Sequence, residues 1–182
     1  MTGAAPSAPP ARQLLLMRHA HAAPAPFGEM GQDADMRRPL TPQGRTMAAR
    51  NGDILRQRRF APELVLVSPA LRTVQTLEAL GSFYGDRQPA IRHVNTLYEA
   101  TPAIIRGLLY EVPEKCSNIM ILGHNPGLSA LVWHWACGRC GPEHENMLQH
   151  GFPPAAMAWF SADKAWNTAT DSEIHLQDLS CR

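Results

Sequence analysis

In "LLLMRHAHA", Leu14–Ala22, four apolar residues run directly into an arginine and a histidine, and this pattern is the clearest indication of the fold. A short continuous apolar run is typical of a strand covered on both faces, as in a parallel sheet. Arg18 and His19 carry groups that resist burial, so the strand must end where the chain reaches a polar site. The stretch therefore predicts a buried strand that delivers two cation-forming side chains to the edge of a sheet.

Two further runs of the same kind, Leu64–Val67 and Ile119–Leu122, predict two more buried strands. Between the runs, apolar residues recur every three or four positions, which is the spacing of an amphipathic helix. Four helix starts are marked by a capping side chain followed by proline, at Thr41-Pro42, Ser68-Pro69, Thr101-Pro102 and Asn125-Pro126. The predicted elements are strand 13–17, helix 42–58, strand 63–67, helix 69–84, strand 90–94, helix 102–111, strand 118–122, helix 126–137 and a final hairpin of strands 155–161 and 173–179.

Strands that alternate with helices predict an α/β fold, a three-layer α/β/α sandwich around a mostly parallel central sheet. Right-handed crossovers place the carboxyl ends of the parallel strands at one edge, where such sheets bind ligands. The length of 182 residues predicts a single domain over 13–182, after an Ala/Pro-rich lead-in, 1–12, that we expect to be disordered. The Pro/Gly-containing stretch 138–154 is expected to be a long loop.

Composition and charge argue against several partners and compartments. The formal net charge is +1, and no apolar run approaches the roughly 20 residues that span a bilayer, so neither nucleic acid nor a membrane is an expected partner. The amino-terminal segment lacks the apolar core of an export signal, which predicts a cytoplasmic protein. In that compartment the cysteines are expected to be thiols: Cys116, Cys137, Cys140 and Cys181.

Polar side chains follow three of the buried strands at the point where each strand ends. Arg18 and His19 follow the first strand, Arg72 lies one helical turn after Ser68 beyond the second, and His124 follows another. In a parallel sheet these groups meet at one edge, beside two helix amino termini whose free N–H groups favour an anion. Because arginine matches phosphate oxygens and clustered cations repel one another without an anion, the set predicts a phosphoryl site with a histidine within reach.

Three motifs in this order resemble the histidine phosphatase superfamily, whose fold is phosphoglycerate-mutase-like: "RHA", "SPALRTVQT" and "GHNPGLS". The stretches "RRPLTPQG" over 37–44 and "LYEATP" over 97–102 are similar to the SixA type of phosphohistidine phosphatase. The resemblance runs from about Leu14 to Leu179. It implies a phosphatase of this superfamily that needs neither a metal nor another cofactor.

The resemblance also implies a covalent mechanism, in which neutral His19 attacks phosphorus and water then hydrolyses the phosphohistidine. The adjacent cations are expected to lower the pKa of His19 and keep it an uncharged nucleophile. Arg18, Arg72 and His124 would bind the phosphoryl oxygens, with His124 expected in its protonated form. Arg38 matches a basic position of the SixA type that could reach the phosphate; the alternative is a solvated loop arginine.

Three other polar residues each have two interpretations. Glu99 lies where many superfamily members carry a glutamate that protonates the leaving oxygen, but it is also close to the cap of the helix that begins at Pro102. Ser68 is interpreted as a helix cap rather than a phosphate ligand. His21 is interpreted as a surface or supporting group rather than a catalytic one.

The short spacing between Arg72 and His124 predicts an open, shallow site. One strand and one helix fill most of that interval, which leaves no room for the long lid of mutases and small-sugar phosphatases of the superfamily. The predicted substrate is a protein, such as a histidine-phosphorylated phosphotransfer domain, whose phosphoramidate nitrogen leaves more readily than an ester oxygen. The alternatives are a small-molecule phosphomonoesterase on the same fold and a non-catalytic phosphate-binding adaptor.

A second cluster, His134, Cys137, Cys140 and His144 in "HWACGRCGPEH", has the residue types of a zinc site. All four residues lie between 134 and 144, whereas zinc ribbons and fingers separate their ligand pairs by about a dozen residues or more. The spacing favours ordinary core and surface roles. A zinc-stabilised interaction module is the alternative.

Overall fold

The computed structural model describes residues 12–25 and 27–180. Its elements in chain order are β1 (Arg12–Arg18), α1 (Gln32–Met36), α2 (Pro42–Gln57), β2 (Leu64–Val67), α3 (Leu71–Leu80), β3 (Ala90–His93), α4 (Pro102–Tyr110), β4 (Asn118–Gly123), α5 (Gly127–Ala136), α6 (Pro142–Gln149), β5 (Met157–Ala162) and β6 (His175–Ser180). Two 3-10 helices lie at Asn95–Leu97 and Asp171–Glu173. The lead-in predicted over 1–12 falls outside the described residues except for Arg12, which begins β1.

All six strands form one sheet in the order β3-β2-β4-β1-β5-β6. The first four strands along the chain are mutually parallel, whereas β5 and β6 are antiparallel additions on one side. β1 pairs with β4 in unbroken register, from Gln13 opposite Asn118 to Arg18 opposite Gly123. The mostly parallel sheet and its terminal hairpin are therefore as the sequence predicts.

The four apolar residues that open the fold are fully buried and face the two sides of the sheet in turn. Leu14 and Leu16 belong to a core beneath α4, α5 and α6, whereas Leu15 and Met17 belong to a second core beneath α2 and α3. Because side chains alternate between the faces of a strand, a run with no polar residue requires cover on both faces. The predicted three-layer α/β/α sandwich is confirmed.

Two of the four predicted helix starts are correct and two are displaced. The Thr41 and Thr101 side chains accept hydrogen bonds from backbone N–H groups of α2 and α4, and each is followed by proline. In contrast, α3 and α5 begin one or two residues after their prolines. The Ser68 N–H still continues the sheet by donating to Leu122 O (3.1 Å), so the interpretation of Ser68 as a helix cap is wrong.

The stretch 138–154 is not a long loop, because it contains α6. The sequence "PEHENMLQ" has proline and two acidic residues in its first turn, and both favour a helix amino terminus. Only Leu148 is buried in α6 and only Ala34 in α1, so neither helix carries the apolar period by which longer helices are predicted. Within the described ranges, no helix has both the length and the apolar character to cross a membrane.

Leu16→Ala should lower the free energy of unfolding by about 2–5 kcal/mol, since it opens a cavity at a fully buried position of β1. Urea unfolding followed by circular dichroism would measure the loss. Ile104→Ala is the control, because that side chain is 40% exposed and its truncation should cost no more than about 1 kcal/mol. Equal losses in the two variants would contradict the burial of β1 between two helical layers.

Candidate active site

Backbone pairing brings the ends of β1, β2 and β4 side by side. His19 N donates to Gly123 O (3.1 Å), just as Ser68 N donates to Leu122 O (3.1 Å). A cavity of about 260 Å³ opens at this edge, lined by Arg18, His19, Asp35, Arg38, Arg72, Tyr98, Glu99, His124 and Asn125. The carboxyl edge of the sheet therefore holds a small, strongly polar pocket.

All the residues predicted for the site line this cavity: Arg18, His19, Arg38, Arg72, Glu99 and His124. Asp35, Tyr98 and Asn125 line it as well and were not predicted. His21 does not; it is exposed, and its Nδ1 lies 2.9 Å from Thr41 Oγ1, which fits the surface or supporting interpretation.

His19 is fixed in one tautomer by the adjacent backbone. Its Nδ1 lies 2.8 Å from Ala20 O, and since a carbonyl oxygen only accepts, Nδ1 carries the proton. Nε2 therefore keeps its lone pair. Burial, reinforced by three nearby arginines and opposed by the Ala20 carbonyl, lowers the pKa of His19 to about 4. The neutral state matches the expectation, although burial contributes more than any single cation does.

His124 is packed beside His19, with their ring centroids 5.1 Å apart, and only 8% of the residue is exposed. Its Nε2 lies 2.8 Å from Ser68 Oγ. Burial first, then the charge of Arg72 and the coupling to the titrating His19 ring, lower the pKa of His124 to about 3. Burial and the neighbouring arginines thus favour the neutral form of His124, whereas the sequence predicts a cation that binds the phosphoryl oxygens; that cation stays a prediction.

Arg18 is held by a carbonyl group that lies far along the chain. Its Nη1 donates to Phe152 O (3.0 Å), and Asn125 Nδ2 donates to the same oxygen (2.8 Å). Phe152, in the segment before β5, thus orients Arg18 at the end of β1. Burial and then the charge of Arg72 lower the pKa of Arg18, a sign that the guanidinium groups are close enough to repel each other.

Asp35, on α1, contacts three of the other residues that line the cavity. Arg72 Nη2 (2.8 Å), Arg38 Nη1 (2.9 Å) and Tyr98 OH (2.7 Å) all donate to its carboxylate. Burial alone would raise the pKa of Asp35, but these hydrogen bonds hold it well below its usual range. Arg38 is therefore part of the cavity wall, so the alternative of a solvated loop arginine is wrong.

Glu99 lies at the exposed rim of the cavity. Its φ of 55° places it in the left-handed region, which is uncommon for a residue other than glycine. The next residue, Ala100, lies directly against α5. Its carbonyl oxygen is so close to Gly127 that a Cβ at that position would collide with it. Glu99 is thus near both the cavity and the start of α4, and its role as a general acid stays a prediction.

The four residues of the zinc alternative are not arranged as metal ligands. His134 Nε2 pairs with Asp171 (3.1 Å), and His144 Nε2 lies 3.5 Å from Asp178. Across residues 12–25 and 27–180, no group of three or more His, Cys, Asp or Glu side chains is placed to hold a metal ion. The geometry does not support a zinc-stabilised module.

The sequence matches the family model of the histidine phosphatase superfamily (branch 1) over residues 14–125. The chain belongs to this superfamily. An uncharacterized chloroplastic protein of Arabidopsis thaliana is 30% identical over 133 residues, which cover 68% of this chain and 59% of that relative. The similarity therefore spans less than two thirds of the length of the plant protein.

Solved structures share the fold over nearly the whole chain. A Nakamurella multipartitia protein assigned as phosphohistidine phosphatase SixA is 30% identical, with a TM-score of 0.77 over 96% of this chain and 98% of that one. An Agrobacterium tumefaciens protein assigned to the same type is 26% identical, with a TM-score of 0.73 over 94% and 99%. A mycobacterial glucosyl-3-phosphoglycerate phosphatase, 18% identical with a TM-score of 0.58 over 94% and 98%, shares the fold alone. The predicted SixA resemblance is confirmed.

The pKa of His19 should be measured near 4 rather than near 6.5. In the predicted mechanism the neutral ring attacks phosphorus, so protonation of His19 should lower the rate only as the pH falls through about 4. A 15N NMR titration of the ring, assigned with His19→Gln, would measure this midpoint. A midpoint near the unperturbed value would contradict the burial and positive surroundings of the ring.

Proposed function

We propose that this protein is a metal-independent phosphohistidine phosphatase that acts on a phosphorylated protein. The observation that carries the proposal is a half-buried, neutral His19 with an available Nε2, set in one small cavity with Arg18, Arg38 and Arg72. A neutral nitrogen nucleophile next to guanidinium groups suits attack on a phosphoryl group and stabilisation of its oxygens. The SixA-type structures that resemble this chain support the same reaction class.

In the first step, the Nε2 lone pair of His19 attacks phosphorus, and the bond between phosphorus and the substrate imidazole nitrogen breaks. The electron pair of that bond stays on the leaving nitrogen, which takes up a proton from solvent. The guanidinium groups of Arg18 and Arg72 hold the phosphoryl oxygens while negative charge spreads over them. Since the leaving nitrogen accepts a proton more readily than an ester oxygen does, this step does not depend on Glu99.

In the second step, water attacks phosphorus of phosphorylated His19, and the bond between phosphorus and Nε2 breaks. The electron pair returns to Nε2, inorganic phosphate forms, and the proton lost by the water passes to phosphate or solvent. Because the Ala20 carbonyl retains the Nδ1 proton, the ring returns to its original neutral tautomer.

We assign His124 the role of a neutral hydrogen-bond donor. Its Nδ1 is buried and has no hydrogen-bond partner among the residues that the structure describes, while Nε2 lies beside the Ser68 hydroxyl. If Ser68 donates to Nε2, the proton of His124 resides on Nδ1 and can bind a phosphoryl oxygen. His124 then serves the reaction without the positive charge expected from the sequence.

The shape of the site favours a protein substrate. The cavity of about 260 Å³ is smaller than the roughly 300–1,000 Å³ of pockets that enclose small molecules. Residues 81–123, all of which the structure describes, form β3, a 3-10 helix, α4 and β4 with their connections, and no long lid interrupts them. A phosphoryl group presented by a protein can enter this cavity while its carrier rests on the outer surface. A metabolite would find few contacts beyond its phosphate.

Single-turnover dephosphorylation of a histidine-phosphorylated phosphotransfer domain would test this function, with an aryl phosphate run in parallel. The wild-type protein should remove the label equally fast with and without EDTA. His19→Ala should lower the rate at least roughly a thousandfold, because the covalent route is lost. Mass spectrometry under alkaline quench should detect a phosphorylated peptide containing His19.

His21→Ala is the matched control, since His21 is two positions away, exposed and outside the cavity lining. It should retain wild-type turnover within about twofold. Turnover of the aryl phosphate alone would support the phosphomonoesterase alternative, and binding of the phosphoprotein without turnover would support the adaptor. Inhibition by EDTA would contradict the metal-independent mechanism.

A further inference from the structure

We propose that Asp35 is a positioning residue that sets the guanidinium planes of Arg72 and Arg38 for the transferring phosphoryl group. The inference rests on the proposed function and deepens it. Asp35 lies on α1, a five-residue helix outside the sheet, yet its carboxylate reaches two arginines and a tyrosine that line the cavity. No other carboxylate within the described residues accepts hydrogen bonds from these arginines.

Asp35 occupies one edge of the Arg72 guanidinium and leaves another edge available. Nη1 donates to the backbone oxygen of Asp35 (2.7 Å), and Nη2 donates to its carboxylate (2.8 Å). This pair fixes the plane of a side chain that is only 7% exposed. Arg72 Nε is buried and has no hydrogen-bond partner in the described part of the chain. The edge formed by Nε–H and the second Nη2 hydrogen can therefore receive two phosphoryl oxygens.

Arg38 is fixed in the same manner from the opposite side of Asp35. Its Nη1 donates to the Asp35 carboxylate (2.9 Å), and its Nε donates to Ala23 O (2.7 Å). Two of its three nitrogens are thus held by the protein. The Nη2 group is left for the phosphoryl group, and a flexible surface side chain becomes a defined donor.

Tyr98 holds the carboxylate in place. Its hydroxyl donates to Asp35 Oδ2 (2.7 Å), the same oxygen that Arg72 contacts. The Tyr98 ring also packs edge-on against His124, with centroids 5.6 Å apart. Asp35 is therefore joined to both sides of the cavity, and its position is coupled to that of a residue that faces the nucleophile.

The charge of Asp35 also allows the arginines to remain together. Arg18, Arg38 and Arg72 bring three positive charges to a small cavity, and His19 and His124 are neutral there. A carboxylate between two guanidinium groups offsets their repulsion without filling the edges that face the substrate. The remaining positive charge of the site favours binding of a phosphoryl dianion. The Asp35 carboxylate at the same time reduces the repulsion that would otherwise separate the arginines.

Asp35→Asn should lower kcat about tenfold for both the phosphoprotein and an aryl phosphate, with a smaller change in KM, because misaligned donors affect the transition state most. Calorimetric titration should show weaker binding of orthovanadate, which can become five-coordinate on His19, and a smaller loss for tetrahedral tungstate. The 15N NMR signals of the Arg72 guanidinium should be distinct in the wild type and averaged by rotation in the variant.

Asp33→Asn is the matched control. It removes the same charge from the same helix, and Asp33 is exposed and does not line the cavity. Its kcat and its vanadate affinity should remain within about twofold of the wild type. Tyr98→Phe provides a second test that leaves the carboxylate intact, and it should lower kcat in the same direction by a smaller factor.

Three results would overturn the positioning role. One is an Asp35→Asn variant whose kcat and vanadate affinity match those of Asp33→Asn, whatever its thermal stability. Another is tighter oxyanion binding together with a raised kcat, which would make the carboxylate a competitor of the substrate. The third is a wild-type protein that turns over its substrate although the 15N NMR signals of its Arg72 guanidinium are already averaged by rotation. A wild-type protein that neither turns over the phosphoprotein nor binds vanadate would instead overturn the proposed function, and the positioning role with it.

Discussion

The parallel pairing of β1 with β4 is the constraint on which both the core and the site depend. The register puts Met17 opposite Leu122 and Arg18 opposite Gly123, so the two strands end at the same level. One hydrogen bond further, His19 and His124 begin the loops of the site. A shift of one residue would turn the apolar side chains of β1 to the opposite faces and separate the two histidines. Burial of the strand and alignment of the pocket are thus enforced by the same backbone ladder.

Much of the fold and six of the nine residues that line the cavity could be predicted, because their signals are local in the sequence. Apolar runs identify the buried strands, and Arg18, His19 and His124 directly follow such runs. Asp35 could not be found this way, because its partner Arg72 lies 37 positions away and its own helix has a single buried residue. The spacing of Asp35 and Arg38, three positions apart, is a usable signal for an ion pair, and Tyr98 lies within the quoted "LYEATP" motif.

Protonation states were the least predictable part of the site, because they depend on burial. A histidine near arginines can be a cation or a neutral donor. The sequence identifies the neighbouring residues but does not tell how far the ring is exposed to water. For His19 the effects of burial and of the arginines act in the same direction, so the expectation is correct. For His124 the surroundings favour the neutral form rather than the expected cation, because the ring is 8% exposed and its oxygen neighbour is a serine hydroxyl rather than a carboxylate. Among the described residues, Asp35 is the one carboxylate that accepts hydrogen bonds from Arg38 and Arg72, and the hydrogen-bond partner of His124 is Ser68 instead.

The position of β1 in the sheet has a consequence for biosynthesis. β1 leaves the ribosome before the other five described strands, but its neighbours are β4, which begins at Asn118, and β5, which ends at Ala162. At a rate of synthesis of about 5–20 residues per second, the apolar segment of β1 has no partner strand for several seconds. The hydrogen bond of Arg18 forms later still, because its acceptor, the carbonyl oxygen of Phe152, is 134 positions away along the chain. A nascent chain therefore carries an unpaired apolar strand until β4 has been synthesised, and the cavity that holds His19 can close around Arg18 only after Phe152 has been added.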